Sequence, residues 1–199
     1  MLGKISTMTP SPIYGEYHFQ KHEMVAAFRF SKDGKFQFYY IYGAVDRNAT
    51  GTFTVEGDVV KLKSDKEAGR DFTVDRQERK SGGYHLLFRH PNKYLVDHIR
   101  VICFIGEEHY EDVTGSSGEV HIDLPRCDRI YLQHGLFPDV VTQIKDEANE
   151  NNYFELSLNP SLEQVSFKGV DLKIEGDRLT CLPNYLMPLE GIAFVKHGE

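Results

Sequence analysis

The sequence predicts an all-β protein, an antiparallel meander or barrel followed by a small β-sandwich. Three observations carry that expectation. Apolar and polar residues alternate at period two through much of the chain, and successive side chains of a strand point to opposite faces. Gly, Asp, Asn and Ser cluster between the alternating runs at the spacing of short strands joined by turns. The composition suits a β-rich core, with 40% hydrophobic and 27% charged residues, 17 Gly, 13 Phe, 11 Tyr and no Trp over 199 residues.

The pattern is clearest over residues 24–63, which carry four consecutive strands. Phe28 and Phe30 share one face. Lys32-Asp33-Gly34 then turns the chain, Asp capping locally and Gly supplying positive φ, and Phe36, Phe38, Tyr40 and Tyr42 share the next face. Residues 46–51 are expected as a loop into Phe53 and Val55, and Glu56-Gly57-Asp58 reverses the chain into Val60 and Leu62. Before this stretch, residues 1–12 form a Ser/Thr/Pro-rich lead expected to be loosely ordered, and Tyr17 and Phe19 alternate on an opening strand. After it come a charged loop at 64–70, a strand with Phe72 and Val74, and a Ser81-Gly82-Gly83 turn into Tyr84, Leu86 and Phe88, about seven strands before Pro91. The run Tyr39-Tyr40-Ile41-Tyr42 is apolar or aromatic on both faces, so cover is expected on both. Phe36, Phe38, Tyr40 and Tyr42 are assigned inward, and Tyr39 and Ile41 outward, toward a protein partner or another part of the chain.

These signals resemble the lipocalin-like β-barrels of the calycin group. The resemblance rests on Gly15-x-Tyr17, on Phe28-x-Phe30-x-x-Asp33-Gly34-x-Phe36, and on Gly51-Thr52-Phe53-x-Val55-x-Gly57-Asp58-x-Val60-x-Leu62, and it covers residues 13 to about 90. Tyr17 stands where the opening strand of that group usually carries Trp. The resemblance implies a barrel that holds a small apolar ligand between aromatic walls, lined by Tyr17, Phe28, Phe30, Phe38, Tyr40, Tyr42 and Phe53.

Residues 90–98, where Pro91 bars a central strand, are expected to join a first domain at 13–98 to a second at 99–199. The second half runs from an apolar strand at 100–105 through an acidic loop at 107–112. Alternating strands follow at Val120, Ile122 and Leu124 and at Ile130 and Leu132, then further short strands, with a hairpin signal at Gly176-Asp177. Residues 114–122 and the run Asp128-Arg129-Ile130-Tyr131-Leu132-Gln133-His134-Gly135-Leu136-Phe137 resemble the transthyretin-like, carboxypeptidase-regulatory-like sandwiches over residues 100–160, with Ser117 where that family often has Asp. Such modules are typically noncatalytic appendages or surface-binding domains.

The formal charge of -7 is unevenly shared. Residues 1–100 hold 16 Lys+Arg against 12 Asp+Glu, and residues 101–199 hold 7 against 18, which argues against nucleic acid or an anionic membrane as partner of the second half. Cys103, Cys127 and Cys181 have no CxxC spacing and cannot all pair, and Cys103, in an apolar run, is expected to be a small buried hydrophobe. No segment reaches membrane-spanning length and residues 1–15 lack the apolar centre of a secretory signal. The expected compartment is therefore the cytoplasm, with export by a signal outside this sequence as the alternative.

No catalytic, metal or nucleotide motif stands out. His18 with His22, and His121 with Asp123, have spacings a metal uses, but exposed strand positions share them. Residues 107–119 offer carboxylates without the alternating pattern of a Ca²⁺ loop. Ser81, Ser116 and Ser117 sit in Gly-rich turns rather than at a nucleophile elbow, and Asn48-Ala49-Thr50 is a glycosylation acceptor of the kind that recurs by chance. Arg70, Arg76, Arg79, Lys80, Arg89, Lys93 and Arg100 form a basic set expected to be a solvated face, with docking of the acidic second domain or binding of an anionic ligand as the alternatives. No metal or cofactor is expected. The leading expectation is a noncatalytic protein that binds a small apolar ligand; the alternatives are a structural or protein-interaction pair of β domains with solid cores, and an enzyme. A void beside Phe38, Tyr40 and Tyr42 separates the first from the second.

Overall fold

The computed structural model describes residues 13–43 and 45–198, so the expectation for residues 1–12 lies outside it. In chain order the strands are β1 (Gly15–Lys21), β2 (Met24–Phe30), β3 (Lys35–Tyr42), β4 (Val45–Glu56), β5 (Val59–Ser64), β6 (Phe72–Glu78), β7 (Tyr84–Arg89), β8 (Ile99–Ile105), β9 (Glu108–Val113), β10 (Glu119–Ile122), β11 (Arg129–His134), β12 (Phe137–Lys145), β13 (Tyr153–Leu158), β14 (Asp171–Glu175), β15 (Arg178–Cys181) and β16 (Ile192–Lys196). The only helical pieces among the described residues are single 3-10 turns at Lys93–Val96 and Pro160–Glu163. The protein is all-β, as the alternation predicts.

The chain forms two compact units, but not the two expected. One comprises residues 1–66 and 165–199; the other is residues 67–164. The expected boundary near Asp97 is corrected for a physical reason. β1 to β5 form a run of hairpins with two unsatisfied edges, and β14, β15 and β16, from the far end of the chain, close them into an eight-stranded antiparallel barrel in the order β1-β16-β15-β14-β5-β4-β3-β2. Closure removes both edges. β6 and β7, expected to belong with the first five strands, instead pair with β13 and β10 in the inserted unit. The charge imbalance follows this division less sharply than the two halves: residues 67–164 hold 10 Lys+Arg against 18 Asp+Glu, and the barrel unit 13 against 12.

Residues 46–51, expected as a loop, are barrel strand. Asp46, Asn48 and Thr50 face out, while Arg47, Ala49 and Gly51 face in, so the alternation is present but carried by residue types that do not announce it. Gly51 is required there, since a Cβ would lie 2.1 Å from the Lys63 carbonyl oxygen and 2.7 Å from Cε1 of Phe36. Gly34 takes φ +78° in the β2–β3 turn, the left-handed conformation foreseen for it.

The barrel interior is a mesh of aromatic rings. Phe28 sits at its centre, with ring centroids 4.6 Å from Phe38, 5.0 Å from Phe194, 5.4 Å from Phe167 and 5.5 Å from Phe30. Two segments outside the strands complete the filling. Phe167 enters ahead of β14, its backbone N–H donating to Oγ of Ser64 at 2.9 Å. Leu186 and Met187 enter between β15 and β16, their N–H groups donating to Oδ1 of Asn184 at 3.1 and 3.0 Å. Each such side chain contributes roughly 1.5–3 kcal/mol by leaving water.

The inserted unit contains two four-stranded sheets, β10-β7-β13-β6 and β12-β11-β8-β9. β7 and β13 run parallel, the one parallel pairing among the described strands. Each sheet buries an alternating face: Tyr84, Leu86, Phe88, Phe154, Leu156 and Leu158 on the first, and Ile99, Val101, Cys103, Ile130 and Leu132 on the second. Tyr84 joins them, its hydroxyl accepting the N–H of Cys127 at 2.8 Å. Asn152, almost wholly buried, fastens the β6–β7 turn. Its Nδ2 donates to the carbonyls of Lys80, Gly82 and Gly83 at 3.1, 3.0 and 2.8 Å, and its Oδ1 accepts from the N–H of Lys80 at 2.7 Å.

Candidate functional site

Of the seven residues expected to line a ligand cavity, Tyr17, Phe28, Phe30, Phe38 and Tyr40 are buried within the barrel and Phe53 packs partly buried against them. They meet one another instead of a cavity. The space left between Phe28, Phe38, Phe167, Leu172, Met187 and Phe194 is about 10 Å³, no more than the volume one water needs. Tyr42 is corrected: it shares the parity of Tyr40, but at the end of β3 it lies 48% exposed. Burial raises the phenol pKa of both Tyr17 and Tyr40 above the ordinary value.

The outer face of β1–β4 is different. Tyr39 and Ile41 are 42% and 45% exposed, as their outward assignment requires. The registers set the outward side chains in rows across four strands: Gln20, Val25, Ile41 and Asp46; then His18, Ala27, Tyr39 and Asn48; then Glu16, Arg29, Gln37 and Thr50. Ala27, too small to fill its place in the middle row, forms the floor of a groove of about 330 Å³ walled by His18, Arg29, Gln37 and Tyr39. The His18 ring packs against that of His197, centroids 5.1 Å apart and planes tilted by 51°, and its Nε2 is screened from solvent, 3.4 Å from a Glu16 oxygen. The face combines an aromatic and aliphatic centre with charged ends, the layout of a small protein-contact surface. A larger open groove of about 560 Å³ crosses β5, β14 and β15, but four of its five charged groups are already joined in the Lys61–Asp171 and Lys173–Glu175 pairs.

The remaining candidates disperse. Residues 108–113, expected within an acidic loop, form β9; Glu111 binds Arg100 at 2.7 Å, which lowers its carboxyl pKa, so the carboxylates do not gather around a cation. His121 faces His85 across the β10–β7 pairing with centroids 5.9 Å apart, while His22 falls in the β1–β2 turn away from His18. Among the described residues no group of three or more His, Cys, Asp or Glu converges. Much of the basic set is engaged within its own unit: Arg76 and Arg89 on Glu155, Lys80 on Glu78, Arg70 on Glu67.

One cluster was missed by sequence reasoning. Cys103 and Cys127, 24 positions apart, meet in the inserted unit, where the hydrogen bond to Cys127 and then burial push the Cys103 thiol well up. The Sγ of Cys127 also lies 3.0 and 3.6 Å from the carbonyl oxygens of Arg129 and Phe104. Lys145, nearby and only 4% exposed, donates its ammonium to the Asp146 carbonyl at 3.0 Å. Nothing in the spacing of the two cysteines foretells their meeting, because β8 and the approach to β11 come together only through sheet register.

Compared with known protein families, curated proteins and solved structures, the chain matches none.

Proposed function

We propose that this protein is a noncatalytic interaction module that works through the outer face of β1–β4. The observation that carries the reading is the packing of the barrel: six of the seven residues that would have walled a ligand pack into one core, and the space left beside Phe28 and Phe38 is about 10 Å³. A ligand cavity for a drug-sized molecule is about 300 Å³ or more. The barrel is then a rigid frame that displays a surface, and Tyr39, Ile41 and the groove over Ala27 are the part of that surface with contact chemistry. The lipocalin-like resemblance enters this proposal as architecture alone.

Titration with a fluorescent long-chain fatty acid tests the reading against the apolar-carrier alternative. No saturable binding is expected. Saturable one-to-one binding that is lost in Met187→Trp, which would overfill the barrel, overturns it.

A further inference from the structure

We propose that the partner of this face is a second copy of the chain, the two outer faces packing about a two-fold axis that lies in the contact plane and passes through Tyr39. The inference rests on the docking-face reading above and adds the occupant.

Charge placement and shape lead to it. On the grid of outward residues Tyr39 occupies the middle of β3, Arg29 lies one strand over and one row below it on β2, and Asp46 one strand over and one row above it on β4. Tyr39 is therefore the midpoint of the Arg29–Asp46 diagonal. A two-fold axis perpendicular to that diagonal sets Arg29 of each copy against Asp46 of the other, and both ion pairs form at once. The same operation carries Ile41 of each copy over the Ala27 region of the other, where the groove of about 330 Å³ has an apolar floor. Tyr39 then meets its own symmetry mate at the centre. Arg29 is available for recruitment, since its side chain is 64% exposed and is held only loosely by Glu16 at 3.9 Å. A self-complementary patch of this kind is what an isologous dimer requires.

The size of the patch sets the strength. Four strands about 4.8 Å apart and three alternate residues along each span roughly 15 Å in each direction, below the approximately 800 Å² per partner of a stable complex. A weak dimer is expected, with a dissociation constant of tens of micromolar or more.

Sedimentation equilibrium on the full chain, from about 5 to 500 µM, tests this. The wild type should dimerise. Arg29→Glu and Asp46→Arg should each shift the dissociation constant upward by more than about tenfold, through two like-charge contacts apiece. An equimolar mixture of the two variants should regain the wild-type constant. In the mixed dimer the substituted positions 29 and 46 face each other with opposite charges, now reversed in sign, while the unaltered Asp46 of the first variant pairs with the unaltered Arg29 of the second. A wild type that is monomeric at the top of that concentration range, or variants that fail to complement one another, overturns the dimer; the docking-face reading is tested separately by the fatty-acid titration, whose outcome does not depend on this one. Circular dichroism on each variant confirms that the barrel is folded before its association is measured.

Discussion

Phe28 and Phe38 are directly paired across β2 and β3, and their rings lie 4.6 Å apart at the centre of the barrel. Phe28 is 1% exposed and also meets Phe30, Phe167 and Phe194. Truncation there removes contacts on every side and leaves a hole the barrel wall cannot close. Phe28→Ala should destabilise the protein by about 3–5 kcal/mol in denaturant unfolding.

Neighbouring positions on β3 should respond in opposite ways. Tyr40 is 4% exposed and points inward, so Tyr40→Ala is expected to lose about 3–5 kcal/mol. Ile41 is 45% exposed and points outward, so Ile41→Asp should change stability by no more than about 0.5 kcal/mol while weakening association. Chemical denaturation of the two variants side by side checks this; unfolding by Ile41→Asp together with tolerance of Tyr40→Ala would reverse the assignment of faces.

The difference between those two residues was legible in the sequence, because Phe36, Phe38 and Tyr40 announce one face by type as well as by spacing. Other parts were not. Tyr42 has the inward parity but sits where the strand leaves the barrel, and parity does not encode where a wall ends. Residues 46–51 look like a loop because Asp, Asn and Gly are turn formers, yet pairing with β3 on one side and, from Gly51 onward, with β5 on the other overrides that preference. The division into units depends on β14 pairing with β5 across the whole inserted unit, a choice made by long-range register that no local signal carries. The outer-face site was legible only as Tyr39 and Ile41; its groove depends on Ala27 lying opposite Tyr39, which again is register.

Asn152 offers a test in the inserted unit. In an Asn-Asn-Tyr run it passes for an ordinary turn residue, but it is 2% exposed and satisfies three carbonyls and one N–H around the β6–β7 turn. Asn152→Leu keeps the volume and strands those four backbone groups, so a loss of at least about 2–4 kcal/mol is expected. Tyr84→Phe should lose less, about 1–3 kcal/mol, by orphaning the buried N–H of Cys127. Calorimetry on both variants ranks them; an Asn152→Leu variant as stable as the wild type contradicts the fastening role.

Alkaline pH should weaken the barrel. Burial pushes the Cys181 thiol up to about 11 from its ordinary 9.0, so the folded state favours the neutral form. Its contribution is fully present below pH 9 and is lost as pH rises toward 11, because the unfolded chain ionises first, at up to about 1.4 kcal/mol per pH unit. Tyr17 and Tyr40, also raised by burial, act in the same direction at higher pH. Stability measured across pH 8–11 should fall from about pH 9, and Cys181→Ala should flatten the first part of that fall.

The central claim is that the barrel interior is occupied by its own side chains, and the most direct measurement is the melting temperature of the wild type and of Phe38→Ala with and without saturating benzene. Phe38 is 4% exposed and meets Phe28 and Phe167, so its truncation should open an apolar cavity able to take the probe. Benzene is expected to raise the melting temperature of Phe38→Ala, by preferential binding to the folded state, and to leave the wild type unchanged. A comparable rise in the wild type would show that the interior already holds room for a ligand and would contradict the account.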